Sequence, residues 1–190
     1  AFYTPVKVIG RVMTAKEAEE EEAKGNHVKA VEGGFRRIVA SPHPVAIVEI
    51  DAIKALMDAD QIVIACGGGG IPVVEREDGS LEGVAAVIDK DLAACRLAQE
   101  MEADILMILT EVPAVAIHFG KPNQENLGHV TAGQLEEYAA QGQFGAGSML
   151  PKVQAAIDFV RSAPNRTALI TSLDLGLEAL SGRAGTKVTA

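Results

Sequence analysis

The stretch Gln61-Ile62-Val63-Ile64-Ala65-Cys66-Gly67-Gly68-Gly69-Gly70 runs from a short apolar segment directly into four glycines. A run of β-branched residues bounded by glycine is typical of a strand that ends in a turn. Ligands of open α/β sheets bind outside the carboxyl ends of such strands. We therefore predict a buried strand over residues 61–66 and a glycine loop whose N–H groups can approach an anion. A tight connection without a ligand is the structural alternative.

Strand-like and helix-like segments alternate on both sides of this stretch, from residue 45 onward. The predicted strands cover residues 46–50, 72–75, 81–84, 104–109, 167–171 and 186–189, and Asp78-Gly79 marks a hairpin turn. The predicted helices cover residues 51–57, where Asp51 would be the cap, 90–101, 131–140, 151–161 and 174–180. This alternation predicts an α/β fold, a three-layer sandwich with a mainly parallel sheet.

Residues 1–45 differ in pattern from the rest of the chain. They contain the acidic run Glu19-Glu20-Glu21-Glu22, which we interpret as a solvated helix face, and Thr14 with Glu17, which fits a capping box. Short strands are predicted over residues 28–31 and 36–39. We predict a small protruding, lid-like subdomain over residues 1–45 and an α/β domain over residues 46–190.

Composition and charge limit the classes of function. Of the 190 residues, 48% are hydrophobic and only 4% aromatic, so the core must be aliphatic, as in a sheet covered by helices. The net charge of -9 disfavours binding to nucleic acid or to an anionic membrane surface. The two cysteines, Cys66 and Cys95, indicate no disulfide framework, and no signal peptide or membrane-spanning run is visible. We predict a cytoplasmic protein, and the spacing of the histidines and cysteines predicts no metal site.

Lys90 lies between Asp89 and Asp91, at the point where an apolar run changes into a predicted helix. Two flanking carboxylates would keep the ammonium charged and hold it in place. Aspartate at a helix start is also an ordinary cap, and this alternative stays open for each carboxylate.

Two later segments also combine turn residues with charge. The first combines residues typical of turns and follows a strand: Phe119-Gly120-Lys121-Pro122-Asn123-Gln124. A plain surface loop is the alternative interpretation. Gly145-Ala146-Gly147-Ser148-Met149-Leu150-Pro151-Lys152 is a glycine loop that enters a helix. A helix N-terminus with a lysine beside it can bind an anion, although an ordinary helix entry would look similar.

The glycines fit neither of two common nucleotide motifs. Pro72 and Val73 stand where G-x-G-x-x-G requires a glycine, and Ser148 stands where a Walker loop requires lysine. The failed dinucleotide fingerprint excludes a nicotinamide oxidoreductase.

Taken together and in this order, the segments resemble the carbamate kinase family, a branch of the amino-acid kinases. The resemblance is carried by residues 65–73, 86–93, 119–124 and 147–152, with further matches at Ser41-Pro42 and Val48-Glu49-Ile50-Asp51. It implies an amino-acid kinase type of fold and phosphoryl transfer between ATP and carbamate, which gives ADP and carbamoyl phosphate. Another acyl-phosphate-forming kinase of the same superfamily is the alternative, and the extended lid segment disfavours it.

The resemblance also implies roles for individual residues. Lys90 and Lys152 would bind the transferring phosphoryl group, Asp91 would orient them, and Lys7 would be a further lysine from the subdomain. Gly67, Gly68, Gly69 and Gly70 would form a substrate and phosphate loop. The nucleotide site would be lined by Thr110, Glu111, Val112, Ile117, Phe119, Gly120, Pro122, Asn123 and Met149. ATP or ADP with Mg²⁺, a small-molecule substrate and a homodimer are expected.

Three departures from the family pattern bear on activity. The family has Asp at Glu111 and Gly at Leu150, where we expect the larger side chain to crowd a loop close to phosphate. The family's N-terminal portion, with the first glycine loops, has no counterpart here. We therefore expect the chain alone to lack about half of the active site, and a catalytically inactive nucleotide-binding fragment or regulatory module is the alternative function.

Overall fold

The computed structural model describes all 190 residues, which form two compact units. The first unit consists of Ala1–His43 and Gly68–Asp89, and the second of Pro44–Gly67 and Lys90–Ala190. The subdomain predicted over residues 1–45 thus corresponds to the first part of the first unit, which also takes up a later segment of the chain.

The first unit is built on a small antiparallel sheet with one helix. Its elements are strand β1 (Lys7–Met13), helix α1 (Ala15–Ala23), and strands β2 (His27–Val31), β3 (Gly34–Val39), β4 (Val73–Glu75) and β5 (Leu81–Gly83). The sheet order is β1-β3-β2, and β4 and β5 form a separate hairpin around the predicted Asp78-Gly79 turn. A parallel bridge between Ala40 and Ala86 joins the two parts of this unit.

Helix α1 begins at the predicted capping box. The Thr14 hydroxyl accepts a hydrogen bond from the Glu17 N–H, and the Glu17 carboxylate accepts one from the Thr14 N–H. These two bonds satisfy donors that a helix start otherwise leaves open. The Arg11 guanidinium, followed by the groups of Thr14, lowers the pKa of Glu17 to about 2, so that this carboxylate stays ionised at neutral pH.

The second unit contains a four-stranded mixed sheet. Its elements are helices α2 (Ile50–Asp58) and α3 (Lys90–Glu100), strands β6 (Ile105–Thr110), β7 (Ala116–Ile117), β8 (Glu125–Asn126) and β9 (His129–Thr131), helices α4 (Ala132–Ala140) and α5 (Met149–Arg161), strand β10 (Thr167–Ser172), helix α6 (Gly176–Leu180), and strand β11 (Thr186–Thr189). The sheet order is β6-β10-β11-β9. Strand β10 pairs parallel with β6 and antiparallel with β11, and β11 pairs parallel with β9.

Helices cover both faces of this sheet, but unequally. On one face, side chains of β6, β10 and β11 form a mostly aliphatic core with the long helix α5, in which Val153 and Phe159 have no exposed surface. On the other face lies the short helix α6, where Gly176 approaches Met107 and Leu109. The predicted α/β fold with three layers is therefore confirmed within this unit. None of the helices has the length and apolarity needed to cross a membrane.

Two predicted strands are wrong, over residues 46–50 and 61–66. Both segments have irregular conformation, and Ile62 and Ile64 are 98% and 95% exposed rather than buried. A strand needs a hydrogen-bonded neighbour, and neither segment has one within the chain. The helix after the first segment begins at Ile50 with Glu49 at its N-cap, so Asp51 lies in the first turn and is not the cap.

The approach of Gly185 to strand β10 gives a test of packing in this unit. Gly182 and Gly185 both have positive φ angles, of 74° and 76°. A Cβ atom at Gly182 would meet nothing, whereas one at Gly185 would lie 2.9 Å from Thr171 Cβ and 3.1 Å from the Ile170 carbonyl oxygen. We expect Gly182→Ala to lower the free energy of unfolding by about 1 kcal/mol, the cost of the left-handed backbone alone.

Gly185→Ala should cost at least about 1 kcal/mol more, because it adds overpacking to the same backbone cost. Urea unfolding followed by circular dichroism measures both variants. Equal losses in the two variants would contradict the close packing of this turn against β10.

Candidate functional site

The second unit buries a lysine and an aspartate together. Lys152 Nζ donates to Asp91 Oδ2 at 2.9 Å, and the two residues are only 9% and 7% exposed. Burial of a lone charge is costly, and here the two opposite charges compensate each other. The structure thus brings together two of the four residues that the sequence proposed as catalytic.

Helix starts position both members of this pair. Asp91 lies in the first turn of α3 and Lys152 in the first turn of α5, directly after Pro151. The dipole of a helix favours a carboxylate at its N-terminus and disfavours an ammonium there. Asp91 therefore holds Lys152 in a place that the dipole of α5 opposes. An ammonium has three donors, so Lys152 can contact an anion while it keeps its bond to Asp91.

Lys90 is not held between its two neighbouring carboxylates. Its side chain is exposed and forms no ion pair, while Asp91 pairs with Lys152. In the first unit, Asp89 is buried and forms an ion pair with Lys7 at the start of β1. The prediction that Asp89 and Asp91 hold the Lys90 ammonium is therefore wrong. Successive residues at a helix start point in different directions, and each aspartate forms its ion pair with a lysine that is distant in sequence.

The glycine loop has a packing role at one position in the first unit. A Cβ atom at Gly69 would lie 2.1 Å from the carbonyl oxygen of Ile88, the residue before Asp89. No such contact exists at Gly68 or Gly70 of this unit, or at Gly67 of the second. Positive φ angles at Gly67, Gly69 and Gly70 still require this loop to be rich in glycine.

The residues proposed to line a nucleotide site all lie in the second unit, most of them in or near a hairpin formed by β7 and β8. Their positions are the end of β6 and the loop after it (Thr110, Glu111, Val112), the hairpin strand (Ile117), the exposed hairpin loop (Phe119, Gly120, Pro122, Asn123) and the first residue of α5 (Met149). Phe119 is 63% exposed, which leaves one aromatic ring available for stacking. The His118 N–H donates to Gln143 Oε1 at 2.9 Å and so links the hairpin to the chain just before the glycine loop of residues 145–147.

Two fully buried threonines hold this region to the sheet, and sequence reasoning missed them. The Thr186 hydroxyl accepts from the Val115 N–H at 2.8 Å and donates to the Leu127 carbonyl oxygen at 2.5 Å. The Thr171 hydroxyl donates to the Pro113 carbonyl oxygen at 3.0 Å. Strands β10 and β11 each contain two threonines, and nothing in the sequence distinguishes the buried one of each pair.

We expected Leu150 to lie in the glycine loop, but it is the second residue of α5. It is half-buried and packs against the aliphatic core. The expectation that this side chain crowds a phosphate-binding loop stays a prediction. The loop itself is closed by backbone bonds, because Ser148 and Leu150 both donate their N–H to the Gly145 carbonyl oxygen.

The two cysteines are free thiols, and both have reduced acidity. Burial raises the pKa of Cys95 to about 12. Burial, with the charges of Glu49 and Glu100, raises the pKa of Cys66. No group of three or more His, Cys, Asp or Glu side chains is arranged to hold a metal ion.

The family follows from comparison with known proteins. Residues 9–172 match the model of the amino acid kinase family. The chain belongs to the amino acid kinase family.

Among individual proteins, the chain is similar to carbamate kinases. It is 51% identical to carbamate kinase of Clostridium perfringens over 98% of this chain and 60% of the relative, and 49% identical to the carbamate kinase-like protein YqeA of Escherichia coli over 99% and 61%. Carbamate kinase from Giardia lamblia bound to AMP-PNP superposes with a TM-score of 0.87 at 40% identity, over 99% of this chain and 60% of that one. A protein from Aeropyrum pernix K1 gives 0.91 at 45%, over 99% and 61%. The chain therefore spans about 60% of the length of these relatives.

Membership of the amino acid kinase family confirms the resemblance and the fold type predicted from the sequence. The individual site residues stay predictions, because no comparison assigns a role to them.

The buried Thr186 hydroxyl provides a test of how the hairpin region is anchored. Thr186→Val keeps the shape of the side chain but leaves the buried Val115 N–H without its acceptor. We expect the free energy of unfolding to fall by about 1–3 kcal/mol, the cost of an unsatisfied buried donor.

The matched control is Thr189→Val on the same strand, where the hydroxyl meets only the exposed His129 ring. That change should cost no more than about 0.5 kcal/mol. Urea unfolding compares the two, and a Thr186→Val variant as stable as the control would show that the bond to Val115 is dispensable.

Proposed function

We propose that this chain is the nucleotide-binding and phosphoryl-transfer portion of a carbamate kinase, which exchanges phosphate between ATP and carbamate. The observation that carries the proposal is the buried Lys152–Asp91 pair at the starts of α3 and α5. Phosphoryl transfer needs charge placed against the phosphate oxygens more than it needs a nucleophilic side chain. A lysine held by a carboxylate beside a helix N-terminus provides such a charge.

Each proposed residue has a distinct task. Lys152 contacts the transferring phosphoryl group, and Asp91 acts as a positioning residue that fixes its ammonium. Lys90 is exposed and unpaired, and so is free to reach an anion as a second cation. In the first unit, Lys7 on Asp89 is a further phosphate-binding candidate.

The hairpin region of the second unit is the proposed nucleotide site. Its exposed Phe119 ring can stack on adenine, and the adjoining turn of Gly120, Pro122 and Asn123 is open to solvent. The residues present fit a nucleotide that brings its own Mg²⁺. That ion binds mainly through phosphates and water and neutralises phosphate charge, so no cage of protein carboxylates is needed. The family neighbour bound to AMP-PNP supports a nucleotide of this class.

The second candidate function is a nucleotide-binding module without turnover. The observation that favours it is the length, because about 40% of each relative has no counterpart in this chain. Transfer requires the acceptor to be aligned with the phosphoryl group, and most of the rate arises from this positioning.

Nucleotide binding separates the site assignment from activity. Calorimetric titration of the chain with Mg-ADP should show saturable binding. Lys90→Ala removes an exposed charge that holds nothing else, so we expect the affinity for Mg-ADP to fall by about tenfold, equivalent to about 1.4 kcal/mol, with the thermal midpoint unchanged.

Lys152→Met in the Asp91→Asn background removes the buried pair without leaving a lone charge, and it should weaken binding by a similar or larger factor. Lys16→Ala is the matched control, since Lys16 is also exposed and unpaired, on α1. The same affinity in all the variants would refute the assignment of both lysines.

Turnover decides between the two candidate functions. A coupled assay follows ATP formation from ADP and carbamoyl phosphate, for the chain alone and for a chimera that carries the missing portion of Clostridium perfringens carbamate kinase. We expect little or no turnover from the chain alone and clear turnover from the chimera. A chimera that binds Mg-ADP yet forms no ATP would favour the inactive module, and full turnover by the chain alone would show that the missing portion is not needed.

A further inference from the structure

A side-chain hydrogen bond joins the hairpin loop of residues 118–124 to a distant segment of the second unit. Within the loop, the Gly120 N–H donates to Gln124 Oε1 at 2.8 Å. The His118 N–H, in contrast, leaves the loop and donates to Gln143 Oε1 at 2.9 Å. Gln143 belongs to the connection between α4 and α5. The bond therefore connects the loop proposed to bind a nucleotide base with the segment that leads into α5.

His118 has a backbone conformation that requires support. Its φ angle of 54° lies in the left-handed region, which residues with a side chain rarely adopt. The His118 carbonyl oxygen also accepts from the Lys121 N–H at 3.0 Å, so that both polar backbone groups of this residue are bonded. Such conformations persist where the surroundings determine them, and they cluster at ligand-binding sites. The turn at His118 also sets the direction of the next side chain, Phe119, which is 63% exposed.

The backbone on both sides of Gln143 is held in place. The Gln143 N–H donates to the Tyr138 carbonyl oxygen at 3.1 Å, and Gly142 before it has a φ angle of 72°. This arrangement is the Schellman ending of a helix, here α4. Phe144 after it is only 6% exposed and belongs to the core of the second unit. The Gln143 side chain thus starts from a fixed backbone, and its amide oxygen is a fixed acceptor for the loop.

The position of this bond relates it to the base and not to the phosphates. The bonded N–H belongs to the residue directly before Phe119, the ring proposed to stack on adenine. The phosphates are assigned to Lys152 and Lys90, and Gln143 forms no hydrogen bond with either. A loop that already has its binding conformation loses less freedom when a ligand arrives, and this raises the affinity for that ligand.

We propose that Gln143 is a positioning residue for the base of the nucleotide. Its amide oxygen holds the His118 N–H, keeps His118 in the left-handed conformation and so directs Phe119 toward the base. Gln143 acts through these two residues and does not contact the nucleotide. The inference rests on the proposed function for the choice of ligand, whereas its structural evidence is the bond to His118.

Two ligands separate the base from the phosphates. Calorimetric titration with Mg-ADP and with Mg-pyrophosphate, which has no base, gives a ratio of two affinities for each variant. Gln143→Met keeps the length of the side chain but removes the acceptor. We expect it to lower the affinity for Mg-ADP by about tenfold and to leave that for pyrophosphate unchanged, because only the loop loses its preformed conformation. A bond that served only the stability of the fold would not change this ratio.

Three further variants serve as controls. Gln143→Glu keeps an acceptor and should restore the ratio, in which any effect of the added charge on the phosphates cancels. Gln141→Met makes the same change at an exposed glutamine two residues earlier and should have no effect. Lys90→Ala should weaken the binding of both ligands and leave their ratio unchanged.

Hydrogen exchange of the His118 amide, measured by NMR without nucleotide, tests the bond itself. We expect exchange to be about tenfold faster in Gln143→Met and unchanged in Gln143→Glu. Faster exchange with an unchanged affinity for Mg-ADP would overturn the inference and leave the proposed function intact. An equal loss of affinity for both ligands in Gln143→Met would also overturn it, in favour of a purely structural bond. No binding of Mg-ADP by the unsubstituted chain would refute the proposed function and, with it, the role of Gln143 toward a base.

Discussion

The buried ion pair between Lys152 and Asp91 is the constraint on which the second unit depends. It connects the starts of two helices that are far apart in sequence and lie against the same sheet. Removing one partner of a buried pair costs about 3–5 kcal/mol, because the other charge is left without compensation. The pair therefore fixes where α3 and α5 begin relative to each other. The ammonium that Asp91 compensates in the folded chain is also the charge proposed to bind phosphate, so that stability and proposed chemistry involve one contact.

Much of the secondary structure could be predicted from local patterns. The Thr14 and Glu17 capping box, the Asp78-Gly79 hairpin and the strands at residues 104–109 and 167–171 involve short-range rules and are confirmed. The segment of residues 61–66 satisfied the same rules and is not a strand, because strand formation depends on a neighbour that no local pattern can supply. The alternation of its residues shows that the segment is suited to be a strand, but it does not identify a neighbouring strand.

In the candidate site, too, local motifs were predictable, whereas contacts between residues distant in sequence were not. The sequence order of motifs identified Asp91 and Lys152, and the resemblance to a family gave them roles. The pairing of Asp89 with Lys7, and not with the adjacent Lys90, could not be predicted, since it depends on how a strand and a loop meet in the first unit. Nor could the buried hydroxyls of Thr171 and Thr186, whose importance comes from carbonyl and N–H groups that approach them across the fold.

The parallel pairing of β6 with β10 has a consequence for the time course of folding. Residues 105–110 bond residues 167–172 in register, and the hairpin, α4 and α5 all lie between them. Pairing of such distant segments first costs the entropy of closing the loop between them, and the contacts stabilise the sheet only afterwards. This order slows formation of the sheet. During synthesis, β6 emerges from the ribosome long before β10, and its apolar side chains stay exposed until β10 has been made. Chaperone binding to the nascent chain is therefore most needed in the interval between these two strands.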